Sequence, residues 1–137
     1  MKRSPRSQAE RCARDEGGAA VVDFVLVSLA LVPMVLGLIQ VGLVLHVRNT
    51  LAAAATEGAR YGATIDRTPA DGAARTREQV RGAIADRFAQ DVTAGRESVD
   101  GVPTVVVTVR AEVPPLGLWG PGVGLSVTGH GVQETAP

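Results

Sequence analysis

An uninterrupted run of apolar residues dominates the first third of the chain. Residues 24–45 carry no charge, and leucine, isoleucine, valine and phenylalanine predominate among them. A helix of this length extends about 33 Å and matches a hydrocarbon core of roughly 30 Å. The pattern therefore predicts a transmembrane helix over residues 19–47. A buried helix of a soluble protein is disfavoured, because only 3% of the residues are aromatic and could contribute to a large core.

Small residues follow the apolar run at a regular spacing. Ala55, Ala59 and Ala63 recur every four residues, as do Gly58 and Gly62. Residues 48–65 most simply continue the helix outward. Two interpretations of the spacing stay open: a face that another backbone approaches closely, or a plain helix end rich in alanine.

The remaining residues predict a small domain with one amphipathic helix. Residues 66–74, "DRTPADGAA", are rich in turn formers and predict a linker. Residues 76–90 predict a helix, because Val80, Ile84 and Phe88 share one face at a spacing of four.

Alternation of apolar and polar residues predicts a short antiparallel sheet. Residues 104–113 place Val105, Val107 and Val109 on one side, which is typical of a half-buried strand. The Asp100-Gly101 pair indicates a hairpin turn that joins this strand to a short one at residues 96–99. Residues 125–134 predict the last strand.

These elements give an α+β fold class: a long N-terminal transmembrane helix that extends outward, and a small extracytoplasmic head. The expected organisation is a basic cytoplasmic leader (residues 1–18), the transmembrane helix (19–47), its helical extension (48–65) and the head (66–137). A loop rich in proline and glycine at residues 114–124 carries Trp119, the only tryptophan. That loop either packs over the core or presents an apolar tip to a partner.

Charge is balanced in total but segregated along the chain. The formal net charge is zero, and no basic stripe with interleaved aromatic residues points to nucleic acid. Five basic residues precede Gly17, whereas only Arg48 closely follows the apolar run. The excess of positive charge predicts a cytoplasmic N-terminus and a cell-membrane protein with a single span.

One acidic residue, Asp23, interrupts the N-terminal edge of the apolar region. A carboxylate in a membrane span is costly and usually functional. Gly17 and Gly18 precede it and leave the backbone accessible to a protease. If the chain is cleaved after Gly18, Ala19 acquires a free ammonium group one helical turn from Asp23, and the two charges can pair.

Two sequence stretches carry a family resemblance. "GGAAVVDF" resembles the processing motif of type IV prepilins, and "NTLAAAATEGARYGAT" resembles the A-x-E-G-A-R-x-A stretch of TadE-like proteins, the minor pseudopilins of tight-adherence (Flp) pilus systems. "LSVTGHGVQE" resembles the closing strand of that family. The family usually has glutamate where this chain has aspartate, at position 23.

The resemblance implies a site and a set of partners. Processing residues would be Gly17, Gly18 and Ala19, and the expected partners are the membrane, a prepilin peptidase, other pilins or pseudopilins and pilus assembly proteins. The residues that the resemblance implies in assembly are Asp23, Phe24, Glu57, Gly58, Ala59 and Arg60.

Candidate chemistry is sparse elsewhere. The two histidines have no metal-ligand spacing, and no nucleophile elbow, P-loop or paired catalytic carboxylates are found in the sequence. Cys12 is the only cysteine, so no intramolecular disulfide can form. The expectation is a non-enzymatic protein without metal or cofactor.

The leading hypothesis is therefore a prepilin peptidase substrate that enters a pilus or its base. Two alternatives stay open. One is an unprocessed single-pass anchor whose outer domain binds a partner. The other is a secreted protein released by signal peptidase, which is disfavoured because the apolar run exceeds the usual 7–15 residues of a signal peptide.

Overall fold

The computed structural model describes the backbone of residues 6–115 and 121–134, and the side chains of residues 18–115 and 121–134. The chain divides into two compact units, an N-terminal unit (Met1–Ile39) and a C-terminal unit (Gln40–Pro137). The predicted α+β class is confirmed. The elements are α1 (Arg6–Ala63), α2 (Pro69–Ala83), a 3-10 helix (Asp86–Ala89), β1 (Asp91–Val99), β2 (Val102–Val113) and β3 (Val123–Val132).

Helix α1 contains the predicted apolar span. From Gly18 to Ala63 it is long and apolar enough to cross a membrane, and its most apolar part is not covered by other residues. Pro33 lies inside this helix without ending it, as proline can within spanning helices. Among the described residues this is one such helix, near the N-terminus, which indicates a single-pass membrane anchor.

Helix α2 begins earlier than the sequence pattern indicated. Its N-terminus is a capping box: the backbone N–H and the hydroxyl of Thr68 donate to Asp71 Oδ2 at 2.8 and 2.7 Å, and the Asp71 N–H donates back to Thr68 Oγ1. Pro69 is well suited to the first helical turn. The prediction of a linker over residues 66–74 therefore holds only for residues 66–68 and was wrong for residues 69–74, because "TPAD" encodes a helix start.

The prediction of a helix over residues 76–90 was also wrong about where the helix ends. The α-helix stops at Ala83, and the chain continues through a separate 3-10 helix. The apolar stripe nevertheless faces the core: Val80 and Phe88 are buried, and the half-buried Ile84 packs against the same cluster.

Three antiparallel strands form the sheet in the order β1-β2-β3. Val99 pairs with Val102 across a two-residue turn, in which Asp100 and Gly101 have φ angles of 52° and 82°. Positive φ at both positions is the geometry that an Asp-Gly turn favours. β1 extends back to Asp91, so the strand expected over residues 96–99 is longer than predicted.

One face of the sheet is covered by α2 and by the part of α1 in the C-terminal unit. The three valines predicted to share one face of β2, Val105, Val107 and Val109, are fully buried and point towards the core. Leu51 and Val47 of α1 contribute the largest buried side chains of that helix. Trp119 and the other residues of the segment 116–120, within the loop predicted over residues 114–124, lie outside the described residues.

Candidate processing and assembly site

The predicted processing residues lie within helix α1. Its backbone is helical through Gly17 and Gly18, the two glycines expected to leave the backbone accessible to a protease. Gly18 and Ala19 are both exposed, and a Cβ added at Gly18 would meet no atom within 4 Å. The peptide bond between them is thus uncovered, although a protease would have to unwind the helix locally, which glycine eases.

Asp23 follows Ala19 by one helical turn, so both residues lie on the same side of α1. Asp23 is exposed, as is the neighbouring ring of Phe24. Among the residues that the structure describes, no side chain or backbone group forms a hydrogen bond or ion pair with the Asp23 carboxylate. In an apolar environment this charge would need a partner other than the side chains of residues 18–115 and 121–134 in their described positions.

The small residues near the end of α1 form a close contact with α2. A Cβ added at Gly58 would lie 2.6 Å from the carbonyl oxygen of Gly72, and one added at Gly62 would lie 3.2 Å from the Gly72 Cα. A side chain at Gly58 would collide with the α2 backbone, and one at Gly62 would press tightly against it. The packing-face interpretation thus applies within this chain, where α1 and α2 meet at their glycines.

Over the same helical turns, the opposite side of α1 contacts β3. Ala55 and Ala59 are buried, and a Cβ at Gly131 would lie 2.6 Å from the Ala59 carbonyl carbon. Gly129 approaches the backbone of Ala55 in the same way. The alternating glycines of "TGHGV" are the sequence signal for this contact, since glycine in a strand marks a close approach of another backbone.

Thr76 was not singled out in the sequence, although it is fully buried between the helices. Its hydroxyl contacts the carbonyl oxygens of Gly72 at 2.9 Å and Ala54 at 3.3 Å. The second contact joins α2 to α1. A threonine at the centre of an apolar helix face was the available signal, because a buried hydroxyl requires a partner.

Glu57 and Arg60 point away from these contacts. Both are exposed, and the ion pair that their spacing permits does not form. The ion pairs among the described residues are Arg75–Glu78, Arg81–Asp86 and Arg110–Asp91. Glu57 instead lines a shallow depression with Thr50, Ala53, Ala54, Gln79 and Ala83. The two charged residues are thus available on the surface, whereas Gly58 and Ala59 are occupied within the C-terminal unit.

The described residues contain no group of three or more histidine, cysteine or acidic side chains that could hold a metal ion. The α2 capping box alters the titration of its own carboxylate. Hydrogen bonds from the Thr68 hydroxyl and backbone N–H lower the pKa of the Asp71 carboxyl below its ordinary value of 3.8. That carboxylate stabilises a helix start and lies on an open surface, which does not suit general acid–base chemistry.

Comparison with known proteins identifies the N-terminal part of the chain. No curated protein and no solved structure matches it. A family model described as TadE-like protein matches residues 18–60, from the predicted cleavage site to the EGAR stretch. The family is associated with the Tad pilus. The resemblance predicted from the sequence is therefore confirmed over residues 18–60, which match the model of the TadE-like family.

Proposed function

We propose that the chain is a TadE-like pseudopilin, a structural or assembly component of a tight-adherence (Flp) pilus or a related secretion apparatus. A prepilin peptidase would cleave it after Gly18. The observation that carries the proposal is the position of Asp23. Its carboxylate has no partner among the described residues and lies one turn beyond the exposed Gly18 and Ala19, on a helix whose following side chains are apolar and exposed.

Cleavage would supply the missing counter-charge. The α-amino group of Ala19 has an ordinary pKa of about 7.7–8.0 and is largely protonated in neutral solution. It would lie on the same helix face as Asp23, four residues before it, or could meet the Asp23 of a neighbouring subunit. Pairing would offset the desolvation of both charges and would fix the register between neighbouring helices.

The proposed orientation places the N-terminus in the cytoplasm and the C-terminal head outside. Support comes from the five basic residues before Gly17 and the single Arg48 closely after the apolar run. In this orientation, the peptidase would reach the leader boundary from the cytoplasmic side, and the head would be available to other pilins.

Exposed charges on α1 suggest where an assembly partner would bind. Glu57 and Arg60 lie within the family-matched segment and have no ion-pair partner among the described residues. We infer that they contact a neighbouring subunit, whereas Gly58 and Ala59 act indirectly by allowing the C-terminal unit to pack. This assigns a structural rather than a catalytic role to the segment.

The deciding experiment is mass spectrometry of the N-terminus from cells that contain the matching prepilin peptidase and from cells that lack it. A mature chain that begins at Ala19 only when the peptidase is present supports the proposal. An intact leader in both strains supports the alternative, an unprocessed single-pass anchor with an outer binding domain. A start within the alanine run at residues 52–55 would indicate signal peptidase.

A further inference from the structure

The last part of the apolar run belongs to the packed C-terminal unit. Gln40 Nε2 donates a hydrogen bond to the Pro114 carbonyl oxygen at 3.2 Å. Leu43 and Val44 pack against the core, and Val47 is almost fully buried in it. These residues of α1 are therefore partly surrounded by the end of the sheet rather than open on all sides.

That end of the unit presents an uncharged surface. On α1, Val41 and Leu45 are 58% and 50% exposed. At the adjoining end of the sheet, Pro114 and Pro115 are exposed, and Val123 is 40% exposed. The nearest charged positions along the two elements are Arg48 and Glu112, both exposed. On α1 the first charged residue, Arg48, thus follows Leu45 by less than one helical turn. On β2 the nearest charged residue, Glu112, lies two residues before Pro114.

We propose that this surface, made by Val41, Leu45, Pro114, Pro115 and Val123, lies on the outer face of the lipid bilayer. The sheet it belongs to cannot enter the hydrocarbon, because the outer edges of β1 and β3 would leave polar backbone groups without partners there. The hydrocarbon-spanning stretch is then restricted to residues 18–39. The proposal rests on the membrane anchor alone, not on cleavage or pilus assembly.

Length alone does not distinguish this stretch from residues 24–45, because each forms a helix of about 33 Å. The packing of Gln40, Leu43 and Val44 does distinguish them. It moves the centre of the span from between Met34 and Val35 to between Ser28 and Leu29.

The shift changes the environment of Asp23. Counted along the helix, Asp23 lies about 8 Å from the centre of the restricted span, inside a hydrocarbon half-thickness of roughly 15 Å. If the span were centred on residues 34 and 35, Asp23 would lie about 17 Å from its centre, in the headgroup region. The C-terminal unit therefore acts as a depth stop that holds the Asp23 carboxylate within the hydrocarbon.

Depth-dependent fluorescence quenching tests the proposal on the full chain. In a Cys12→Ser background, single cysteines at Leu29, Val35, Val41 and Leu45 carry an environment-sensitive dye. The protein is reconstituted in phosphatidylcholine vesicles that contain lipids brominated at defined depths. We expect the deepest quenching at position 29, and quenching only by shallow bromines at positions 41 and 45. A maximum at position 35 would overturn the proposal.

The depth stop has its own test. Gly129→Leu with Gly131→Leu forces β3 away from α1, because both side chains would collide with helix backbone. The span is then free to recentre, and the quenching maximum should move about six residues towards position 35. The matched control, Gly82→Leu with Gly95→Leu, adds side chains where no atom lies within 4 Å and should leave the maximum at position 29. An unmoved maximum in the first variant would contradict the depth stop.

Discussion

The backbone N–H of Glu134 donates a hydrogen bond of 2.9 Å to the carbonyl oxygen of Ala63, the last residue of α1. One of the carbonyl groups that a helix end leaves without an intrahelical partner is thereby satisfied by the chain that follows β3. Together with the glycine contacts at Ala55 and Ala59, this bond fixes β3 along the final turns of the helix.

The contact between α1 and α2 predicts opposite effects for two glycines of one helix. A Cβ at Gly72 would lie 2.5 Å from the Gly58 carbonyl oxygen, whereas one at Gly82 would meet nothing within 4 Å. Gly72→Ala should destabilise the C-terminal unit by about 1–3 kcal/mol through overpacking. Gly82→Ala should stabilise it by up to about 1 kcal/mol. Denaturant unfolding in detergent measures both; equal effects would exclude the close approach.

Acid stability should depend on the α2 capping box. The folded-state pKa of Asp71 is lowered by the Thr68 hydrogen bonds, so its stabilising contribution is complete above the ordinary value of 3.8 and is lost as the pH falls through the folded-state pKa. Asp71→Asn should reduce the loss of stability in this acid range. The control is Asp66→Asn, an exposed carboxylate outside the box. Identical acid unfolding profiles for wild type and Asp71→Asn would contradict this role.

Processing should be sensitive to the side chain at position 18. Gly18→Val adds a branched Cβ at the scissile position and should block a small-residue peptidase, so the leader stays attached. Gly37→Val provides the control, because it makes the same change further along α1, again with no atom within 4 Å of the new Cβ. Immunoblot mobility and mass of the mature chain are measured. Normal maturation of Gly18→Val would show that cleavage occurs elsewhere.

Insertion and assembly should respond in opposite directions to the loss of the Asp23 charge. Asp23→Ala removes a group that opposes insertion by roughly 2.5–3.5 kcal/mol at a helix centre and by less towards the helix end. The membrane fraction should therefore stay the same or increase, while pilus yield falls because the Ala19 ammonium loses its partner. Asp23→Glu should keep both. Wild-type pilus yield from Asp23→Ala would contradict the pairing.

Periodicity over long stretches predicted much of this fold. The apolar span, the inward valines of β2 and the Asp100-Gly101 hairpin follow from local pattern and turn chemistry. The start of α2 was missed because proline and glycine were weighted as turn formers, although the Thr68–Asp71 spacing is a capping box. The end of α2 was missed because Phe88 keeps the spacing of the apolar stripe although it belongs to a separate 3-10 helix.

The site was predicted less completely than the fold. Spacing left open whether Gly58 and Gly62 pack closely, and it could not show that they meet Gly72 of another helix. Tertiary packing decides such contacts, and a single sequence carries no direct record of them. Asp23 was identified from sequence because its cost in an apolar region is a local property.

The attachment of β3 along α1 has a mechanical consequence. Gly129 and Gly131 of the strand, and Glu134 just after it, meet successive turns of the helix at Ala55, Ala59 and Ala63. Tension applied along the helix axis therefore loads these contacts in shear, so that they must yield together, whereas a perpendicular pull would peel them apart one at a time. A chain held by its helix and pulled through its sheet along that axis should thus resist rupture better than one pulled across it.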